Sequence, residues 1–430
     1  MFRGDADPGR RSATATTRAC PVLTAWRAYA WPRRPAPTRA RVTTGMVSFR
    51  KLTRTPSKST DRRAPRGQTL DLSRLRELNA HSAIRALRDE QDLTVTELSR
   101  RIGLSRASTE DVVRELLGLG WVAEVEPAAG GVGRPARRYR FNADAGRLLG
   151  VDIGGHKVLA LVTDLDGKVR HSHRVEVGPE LGRRARLAAA DEAIAGVLRT
   201  ARLGRDGLWA TGVATTGIVD VAGKVMLSDA LPEWTGVDLA AHVAAQVPGP
   251  VVVENDSKLA ALAETWQGVA RYTSDLVFIL SGLRTGAGLV IGGRLHRGFG
   301  NAAGEIGALP AVGWTRAPDH LAAWPTGSDI FAAARDGDKA AVTAVRRYVK
   351  DLALGVSALV LALDPELVVV GGGFSRSADV LIEPLRRELD RWCLRTPEVR
   401  VSTLGDEGVA LGAAKLALDS IEDRFARNRE

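Results

Sequence analysis

Hydrophobic side chains first recur at helical spacing about 70 residues into the chain. The positions Leu72, Leu75, Leu78, Ile84 and Leu87 predict an amphipathic helix of about 17 residues. The chain before this helix is rich in Arg, Pro, Thr and Ser and carries few periodic apolar positions. Such a composition predicts a disordered tail over residues 1–70.

Two shorter helices and a hairpin are predicted to follow. Thr94 or Thr96 can cap a second helix, and Ser105 can cap a third. Residues 121–125 and 138–141 alternate as short strands around a loop of Gly, Pro and Arg. The order helix, helix, turn, helix, hairpin predicts a winged helix-turn-helix domain, which we place at residues 71–142.

Downstream, strands alternate with helices, which predicts an α/β domain at residues 148–420. The predicted strands are 149–153, 158–163, 169–177, 208–214, 250–253, 276–281, 286–292 and 367–370. The predicted helices are 183–200, 238–246, 256–266, 327–335, 339–363 and 407–419.

The net charge of +11 belongs to the tail rather than to the folded part of the chain. Residues 1–70 hold 16 Lys and Arg against 3 Asp and Glu, so the rest of the chain holds 45 against 47. The total charge is therefore poor evidence for nucleic-acid binding. Within the predicted winged domain, however, residues 134–140 concentrate four arginines in seven positions.

The cysteines and the apolar runs exclude two classes of protein. Cys20 and Cys393 lie far apart and in different segments, so neither a disulfide framework nor a Cys-rich zinc site is expected. No run of about 18 apolar residues predicts a transmembrane helix. We therefore expect a cytoplasmic protein without a membrane partner.

The winged domain predicts double-stranded DNA as a partner, since the second helix of such a pair enters the major groove by its N-terminal end. Hydroxyls contact phosphates or base edges, and arginine grips guanine or a narrow minor groove. The alternative is a winged fold that serves protein contacts. The predicted DNA-contacting residues of the helix and the wing are Ser105, Arg106, Ala107, Ser108, Thr109, Arg134, Arg137 and Arg138.

A glycine turn between two predicted strands marks the start of the α/β domain. It runs from Asp152 through Gly154 and Gly155 to Lys157. Glycines let backbone N–H groups approach a phosphate, the carboxylate can hold magnesium, and the lysine can meet phosphate charge. An ordinary β-turn is the alternative.

Five motifs along residues 70–420 resemble, in their sequence order, those of the ROK family of repressors and sugar kinases. The architecture is similar to that of the family's xylose- and N-acetylglucosamine-responsive repressors. The resemblance implies a two-lobed, actin-like ATPase fold after the winged domain. The motifs are 151–157, 251–256, 281–288, 298–308 and 371–373.

The resemblance also implies roles for individual residues. Asp256 stands where the family's kinases keep the base that deprotonates a sugar hydroxyl, and Asn255 and Glu305 stand where sugar is bound. A cap for the following helix is the alternative role of Asp256. The implied nucleotide-binding positions are Asp152, Gly154, Gly155, Lys157, Gly372 and Gly373.

Several residues depart from the kinase pattern. His156 replaces a usual threonine, Leu283 and Arg284 replace Thr and Gly of a phosphate loop, and Ala308 replaces a histidine. Residues 309–314 contain no cysteine, so no zinc is expected, and ATP with magnesium is not expected either.

The sequence thus predicts a transcriptional regulator of carbohydrate metabolism, a repressor rather than an enzyme, that binds a sugar or a sugar-derived effector. A homodimer or a higher homo-oligomer is expected to read the operator. An active sugar kinase with an accessory DNA-binding domain is the alternative. A constitutive DNA binder with a vestigial sugar domain is a third interpretation.

Overall fold

The first domain of the computed structural model contains three helices, whose boundaries follow from local chemistry. Thr94 caps the second helix in a reciprocal pair with Glu97, with N···O distances of 2.7 and 3.2 Å. Gly103 ends this helix at φ 69°, and the Ser105 side chain accepts from the backbone N–H of Ser108 to cap the third. The helices are α1 (Leu72–Asp89), α2 (Val95–Ile102) and α3 (Arg106–Gly118). The three predicted helices are confirmed.

The structure describes residues 72–89, 92–125, 136–204, 207–282 and 284–425. The predicted disordered tail, Arg134 in the predicted wing and Leu283 in the second phosphate loop lie outside these residues. From Ser73 onward the chain forms one compact unit.

A small antiparallel sheet completes the first domain. Its strands are β1 (Leu93–Thr94), β2 (Val122–Val125) and β3 (Arg138–Phe141), in the order β1-β3-β2. Leu93 pairs with Tyr139, and Val122 pairs with Phe141, so apolar side chains from all three strands enter the core. The helix, helix, turn, helix, hairpin order is therefore the one that the sequence predicts.

The first lobe of the α/β domain is a five-stranded mixed sheet in the order β10-β7-β4-β5-β6. Strands β4, β5 and β6 form an antiparallel meander, while β4, β7 and β10 run parallel. One face is covered by helices α4 and α5, which pack into a shared apolar cluster. The elements are β4 (Arg147–Ile153), β5 (Lys157–Thr163), β6 (Val169–Glu176), α4 (Arg183–Ala201), β7 (Leu208–Thr215), β8 (Ile218–Val219), β9 (Val225–Leu227), α5 (Leu239–Ala244) and β10 (Val251–Asn255).

The second lobe repeats this plan with the sheet order β13-β12-β11-β14-β15. Its largest apolar cluster lies between this sheet and three helices, α7, α8 and α9. The elements are α6 (Asp256–Trp266), β11 (Leu276–Leu280), β12 (Gly286–Ile291), β13 (Arg294–Leu295), α7 (Gly327–Arg335), α8 (Lys339–Leu363), β14 (Leu367–Gly371), α9 (Ala378–Trp392), β15 (Glu398–Val401) and α10 (Gly408–Phe425). The predicted α/β class, with two lobes after a winged domain, is confirmed.

Helix α9 and strand β15 are absent from the sequence prediction. Pro384 lies inside α9, where a proline ordinarily breaks a helix because it has no N–H to donate. The helix persists because its apolar face is buried; this face consists of Leu381, Ile382, Leu385 and Leu389. Tertiary packing thus outweighs the local penalty.

The C-terminal helix α10 lies against the first sheet at backbone-to-backbone distance. A Cβ atom on Gly212 of β7 would come within 1.8 Å of the Ala413 carbonyl oxygen, and one on Gly150 of β4 within 2.0 Å of the Ala410 oxygen. Glycine is therefore the residue type that lets α10 approach β4 and β7 so closely.

The winged domain and the first lobe share one hydrophobic core. The Trp121 and Trp209 rings meet edge to face with their centroids 5.1 Å apart, one from each domain. The same apolar cluster contains Leu148 of β4 and Ala414 of α10. The Arg88 guanidinium adds a polar link, 2.8 Å from a Glu422 carboxylate oxygen of α10. The DNA-binding domain is thus packed onto the sheet that helps to form the cleft.

Candidate functional site: a carboxylate cleft and a helix-turn-helix surface

Three carboxylates meet at the carboxyl edge of the first sheet. Strands β4, β7 and β10 run parallel and end in register, with Ile153 and Asn255 both paired with Thr215. Asp152 is therefore at the end of one strand, and Asp256 follows the end of another. This edge is where α/β sheets usually bind ligands.

The three carboxyl groups influence one another through their charges. Burial raises the pKa of Asp256 to about 7, and the negative charges of Asp152 and Glu305 add to the effect. Burial also raises the pKa of Asp152, against the opposing charge of Lys157, and that of Glu305, against Lys258. The cluster therefore offers both a hydrogen-bond donor and acceptors near neutral pH, as a sugar requires.

The side-chain amide of Asn255 already forms hydrogen bonds with other groups of the protein. Its Oδ1 accepts from the Ser257 hydroxyl at 2.5 Å and from the Lys258 N–H at 3.2 Å, and its Nδ2 donates to the Gly217 carbonyl at 3.0 Å. Asn255, rather than Asp256, is therefore the N-cap of α6. Asp256 is the first residue of α6, and its carboxylate accepts from the Ser257 N–H at 2.7 Å, so it also satisfies an N–H group at the helix start. The role of Asn255 as a sugar ligand stays a prediction.

A buried lysine beside Glu305 is absent from the sequence prediction. Lys258 is fully buried, donates to the Asn301 carbonyl and lies 3.7 Å from Glu254, which Arg297 also contacts at 2.6 Å. This network ties α6 to the loop that carries Glu305. A charged residue at the start of an otherwise Ala- and Leu-rich helix was the one available signal.

Two of the predicted nucleotide-binding residues, Asp152 and Lys157, lie close together, and their charges are already paired. Lys157 lies 3.6 Å from Asp152 and donates to the backbone carbonyl of Asp406. The Asp406 carboxylate in turn accepts from Arg174 and Arg376. Hydrogen bonding from Arg376 and the Lys157 charge overcome burial and lower the pKa of Asp406.

The glycine turn of the first lobe is held from behind by a residue that sequence reasoning missed. Arg186 is fully buried and donates to the carbonyls of Gly154 at 2.5 Å and Gly178 at 2.9 Å. In the sequence, Arg186 is one arginine among several in an arginine-rich helix start, so nothing distinguished it. His156 is exposed at this turn.

The two glycine motifs of the second lobe pack against each other. Gly372 has φ 85°, and a Cβ atom there would lie 2.4 Å from the Ser281 carbonyl oxygen. Gly373 faces open space. Arg284, in the turn between β11 and β12, contacts Asp229 of the first lobe, with an Nη1···Oδ1 distance of 3.1 Å. Arg284 thus forms a cross-cleft ion pair in the predicted phosphate loop.

The start of α3 presents four of the predicted DNA-contacting residues. Ser105, Arg106, Ala107 and Ser108 are exposed. Thr109 is a correction, because it is fully buried and its hydroxyl donates to the Ser105 carbonyl at 2.9 Å, so it cannot reach DNA.

The two described arginines of the predicted wing differ in their surroundings. Arg137 is exposed beside Glu124. Arg138 donates to the Asp92 carbonyl at 2.5 Å and lies 3.3 Å from Glu97, so it holds β3 to the start of α2. Its side chain is nevertheless 42% exposed, so its DNA contact stays a prediction beside this structural role. Arg137 stays a predicted DNA contact.

Within the described parts of the chain, no group of three or more His, Cys, Asp or Glu side chains is arranged to hold a metal ion. None of the described helices is both long and apolar enough to span a membrane. Cys393 is a free thiol.

The substitution Asp256→Asn is expected to change stability in a pH-dependent way. A carboxyl whose pKa is raised on folding stabilises the folded state below its unfolded pKa, and this contribution is lost as the pH rises to the folded pKa. The difference in melting temperature, variant minus wild type, should therefore grow as the pH rises from about 4 to about 7. At pH 8 it should exceed its value at low pH by about 2 °C or more.

Differential scanning fluorimetry from pH 5 to pH 8.5 measures this difference. The exposed Asp336→Asn is the matched control and should show no such trend. A pH-independent difference between the Asp256→Asn variant and the wild type would contradict the assigned environment.

The sequence matches proteins of two kinds. It is 24% identical over 389 residues to a xylose repressor of Caldicellulosiruptor bescii, covering 81% of this chain and 97% of the repressor. It is 29% identical over 318 residues to a glucokinase of Streptomyces coelicolor, covering 63% of this chain and 98% of the kinase. Repressors thus match through both domains, and kinases through the second.

Solved structures give the same division. A ROK family transcriptional regulator, a homologue of the Escherichia coli Mlc protein, superimposes with a TM-score of 0.66 at 21% identity, covering 82% of this chain and 99% of that one. A ROK glucokinase from Streptomyces griseus, in complex with glucose and AMPPNP, has a TM-score of 0.56 at 28% identity, covering 64% and 100%.

Two family descriptions cover most of the folded chain. The IclR helix-turn-helix domain matches residues 79–126, which contain α2 and α3. The ROK family matches residues 148–320 and 324–420, which contain both lobes and the carboxylate cleft. The chain belongs to the ROK family and carries an N-terminal helix-turn-helix domain.

Proposed function

We propose that this protein is a DNA-binding transcriptional repressor of carbohydrate metabolism whose operator affinity is controlled by a sugar. The observation that carries the proposal is the core that the helix-turn-helix domain shares with the sheet bearing the carboxylate cleft. A ligand at the edge of the first sheet therefore acts on the same lobe against which the DNA-binding domain is packed.

The exposed start of α3 supplies the DNA contacts. The Nε atom of Arg106 is 3.0 Å from Glu110, which leaves the outer edge of the guanidinium to grip guanine O6 and N7. Ser105 and Ser108 can contact phosphates or base edges, and Ala107 can meet a thymine methyl group. Two copies in a homodimer would read half-sites about one helical turn, or a multiple of it, apart.

The cleft supplies the sugar contacts. Asp256 and Glu305 offer acceptors, and the proton that Asp256 retains near pH 7 offers a donor. A binding pocket needs only a few polar groups in fixed positions. A neutral sugar fits better than an anionic one, because the charges of Asp152 and Glu305 already act unfavourably on Asp256 and would repel a further negative charge.

The nucleotide side does not fit ATP with magnesium, which supports binding rather than phosphoryl transfer. Phosphoryl transfer depends on positioned cations that neutralise the phosphates. Here Lys157 is engaged by Asp152 and Asp406, and Arg284 is engaged by Asp229. The protein is therefore proposed to need neither ATP, magnesium nor zinc, and not to act as an enzyme.

Closure of the lobes around the sugar is the proposed signal. The Arg284–Asp229 pair crosses the cleft with both side chains exposed to solvent, so it can form and break as the lobes move. Sugar and operator binding must then be reciprocally coupled, because each favours a different lobe arrangement.

Saturating sugar is expected to weaken operator binding by about 5- to 150-fold, the usual range of allosteric coupling. The duplex is selected from a random library with the full-length protein, and its affinity is measured by fluorescence anisotropy with xylose, glucose or N-acetylglucosamine. Glu305→Gln should retain operator binding and lose the response. Equal operator affinity with every sugar tested would refute the sensor function.

Arg106→Ala is expected to weaken the selected operator by about 1–3 kcal/mol and to relax preference at one base pair. Arg114→Ala, also exposed on α3 but further from its start, is the matched control. It should weaken all duplexes about equally. An unchanged base preference in the Arg106→Ala variant would remove this residue from base reading.

An active sugar kinase is the second candidate, and one observation favours it. A carboxyl with a pKa of about 7 beside the sugar position has the properties of a general base. An ADP-release assay with the same sugars and magnesium ATP distinguishes the two functions. We expect no turnover; turnover that Asp256→Asn abolishes would establish the kinase instead.

A further inference from the structure

A second cavity lies away from the carboxylate cleft, between the helix-turn-helix domain and the two lobes. It encloses about 1500 Å³. Its walls are α1 of the DNA-binding domain, the helices α6 and α10, the segment 271–274 before β11, and the β12–β13 turn. We call it the interdomain groove. A molecule in this groove would touch the DNA-binding domain and the second lobe at once.

The lining of the interdomain groove is strongly cationic. Its described lining residues include six cationic side chains and His81. Only two of these lining residues, Asp419 and Glu422, are acidic. Half of the cations are already paired: Lys415 with Asp419, Arg88 with Glu422 and Arg297 with Glu254. The six cationic side chains are Arg85, Arg88, Arg271, Arg294, Arg297 and Lys415.

The other three, Arg85, Arg271 and Arg294, are exposed and make no ion pair or hydrogen bond with any described residue. They come from three separate parts of the chain: α1, the segment before β11, and β13. Arg271 acts electrostatically on Asp166, which lies outside the lining, and among the acidic lining residues Asp419 and Glu422 are paired with Lys415 and Arg88. A bound anion would therefore relieve the repulsion among these like charges.

Arg88 lies between the groove and the shared core. Arg88 is mostly buried, with its guanidinium 4.3 Å from the centre of the Phe141 ring. Its Nη2 atom is buried and has no hydrogen-bond partner among the described residues. Arginine binds phosphate through paired N–H donors in a fixed fork, which an isolated lysine cannot provide.

We propose that the interdomain groove binds a small phosphorylated ligand, with Arg85, Arg271 and Arg294 holding its phosphate group. The phosphate belongs to free inorganic phosphate or to a phosphate ester of a metabolite. Duplex DNA fits less well, because a duplex would lie across the rim and leave the volume of the groove unused.

The ligand would act by linking the DNA-binding domain to the second lobe. Arg85 lies on α1, whereas Arg271 and Arg294 precede and follow β11 and β12 of the second sheet. Their shared anion would oppose movement of that lobe relative to α1. This regulatory consequence rests on the proposed repressor function, but the binding itself does not.

Isothermal titration of the full-length chain with inorganic phosphate, glucose 6-phosphate and glucose tests the proposal at fixed ionic strength. The triple variant Arg85→Gln, Arg271→Gln, Arg294→Gln should weaken phosphate or phosphate-ester binding at least about tenfold, because charge-assisted hydrogen bonds are lost. Arg294→Gln alone, at the exposed start of β13, should weaken it about threefold and serves if the triple variant folds poorly.

The matched control removes three exposed cations elsewhere, on α8: Arg346→Gln, Arg347→Gln and Lys350→Gln. It should leave the affinity for inorganic phosphate and for glucose 6-phosphate unchanged. Glucose 6-phosphate that binds more tightly than phosphate, and loses this advantage in the groove triple variant, identifies an ester as the ligand, whereas equal binding identifies the free ion.

Two results would overturn the proposal. One is phosphate binding that is absent, or equal in the groove variant, the α8 variant and the wild type. The other is a groove variant that loses operator affinity while neither phosphate probe binds the wild type, which would make the groove rim a DNA contact. Operator binding and sugar response are measured separately, so failure of the groove leaves the repressor function standing.

Discussion

The contact between Trp121 and Trp209 is the interaction on which the rest of the architecture depends. It joins two domains that could each build their own core into one continuous apolar cluster. Large aromatic side chains contribute both buried area and a preferred edge-to-face geometry. The DNA-binding domain is therefore fixed in orientation to the sheet whose edge carries Asp152 and precedes Asp256.

Close packing of α10 makes this arrangement stiff. The helix packs directly on β4 at Gly150 and on β7 at Gly212. Near its C-terminal end, Glu422 forms the ion pair with Arg88 of α1. Packed interiors transmit displacement because they contain little empty volume. A change of lobe angle therefore reaches α1 through α10 without any flexible connection between them.

Charge pairing supports the proposal that this kinase-like fold serves binding alone. Lys157, the cation expected to meet phosphate, faces Asp152 and the Asp406 carbonyl, and Arg284, which replaces a glycine of the phosphate loop, faces Asp229. The sugar side, by contrast, keeps carboxyl groups with raised pKa values and no paired cation beyond Lys258 near Glu305.

The sequence predicted what local patterns determine, and it missed what tertiary packing determines. Helix boundaries with strong caps, such as those at Thr94 and Ser105, agree with the structure because capping is a local interaction. Helix α9 was missed because Pro384 contradicts it locally, and only its buried face explains it.

The same distinction applies within the candidate site. Asp256 and Glu305 are recognisable from their motifs, whereas the roles of Arg186 and Lys258 depend on partners far away in the chain. Thr109 was misplaced because it was assigned from its position at the helix start, whereas its spacing to Val112, Val113 and Leu116 puts it on the buried side of α3. The fold class was therefore predictable, and the charge pairing that supports the proposed binding role was not.

The central claim is that the domains communicate through their shared core, and Trp209→Ala tests it most directly. Operator affinity with and without an effective sugar is measured for this variant and for Trp324→Ala, a partly buried tryptophan of the second lobe. The account predicts that Trp209→Ala still binds operator but loses most of the sugar response, while Trp324→Ala keeps it. A full sugar response in the Trp209→Ala variant would contradict the account.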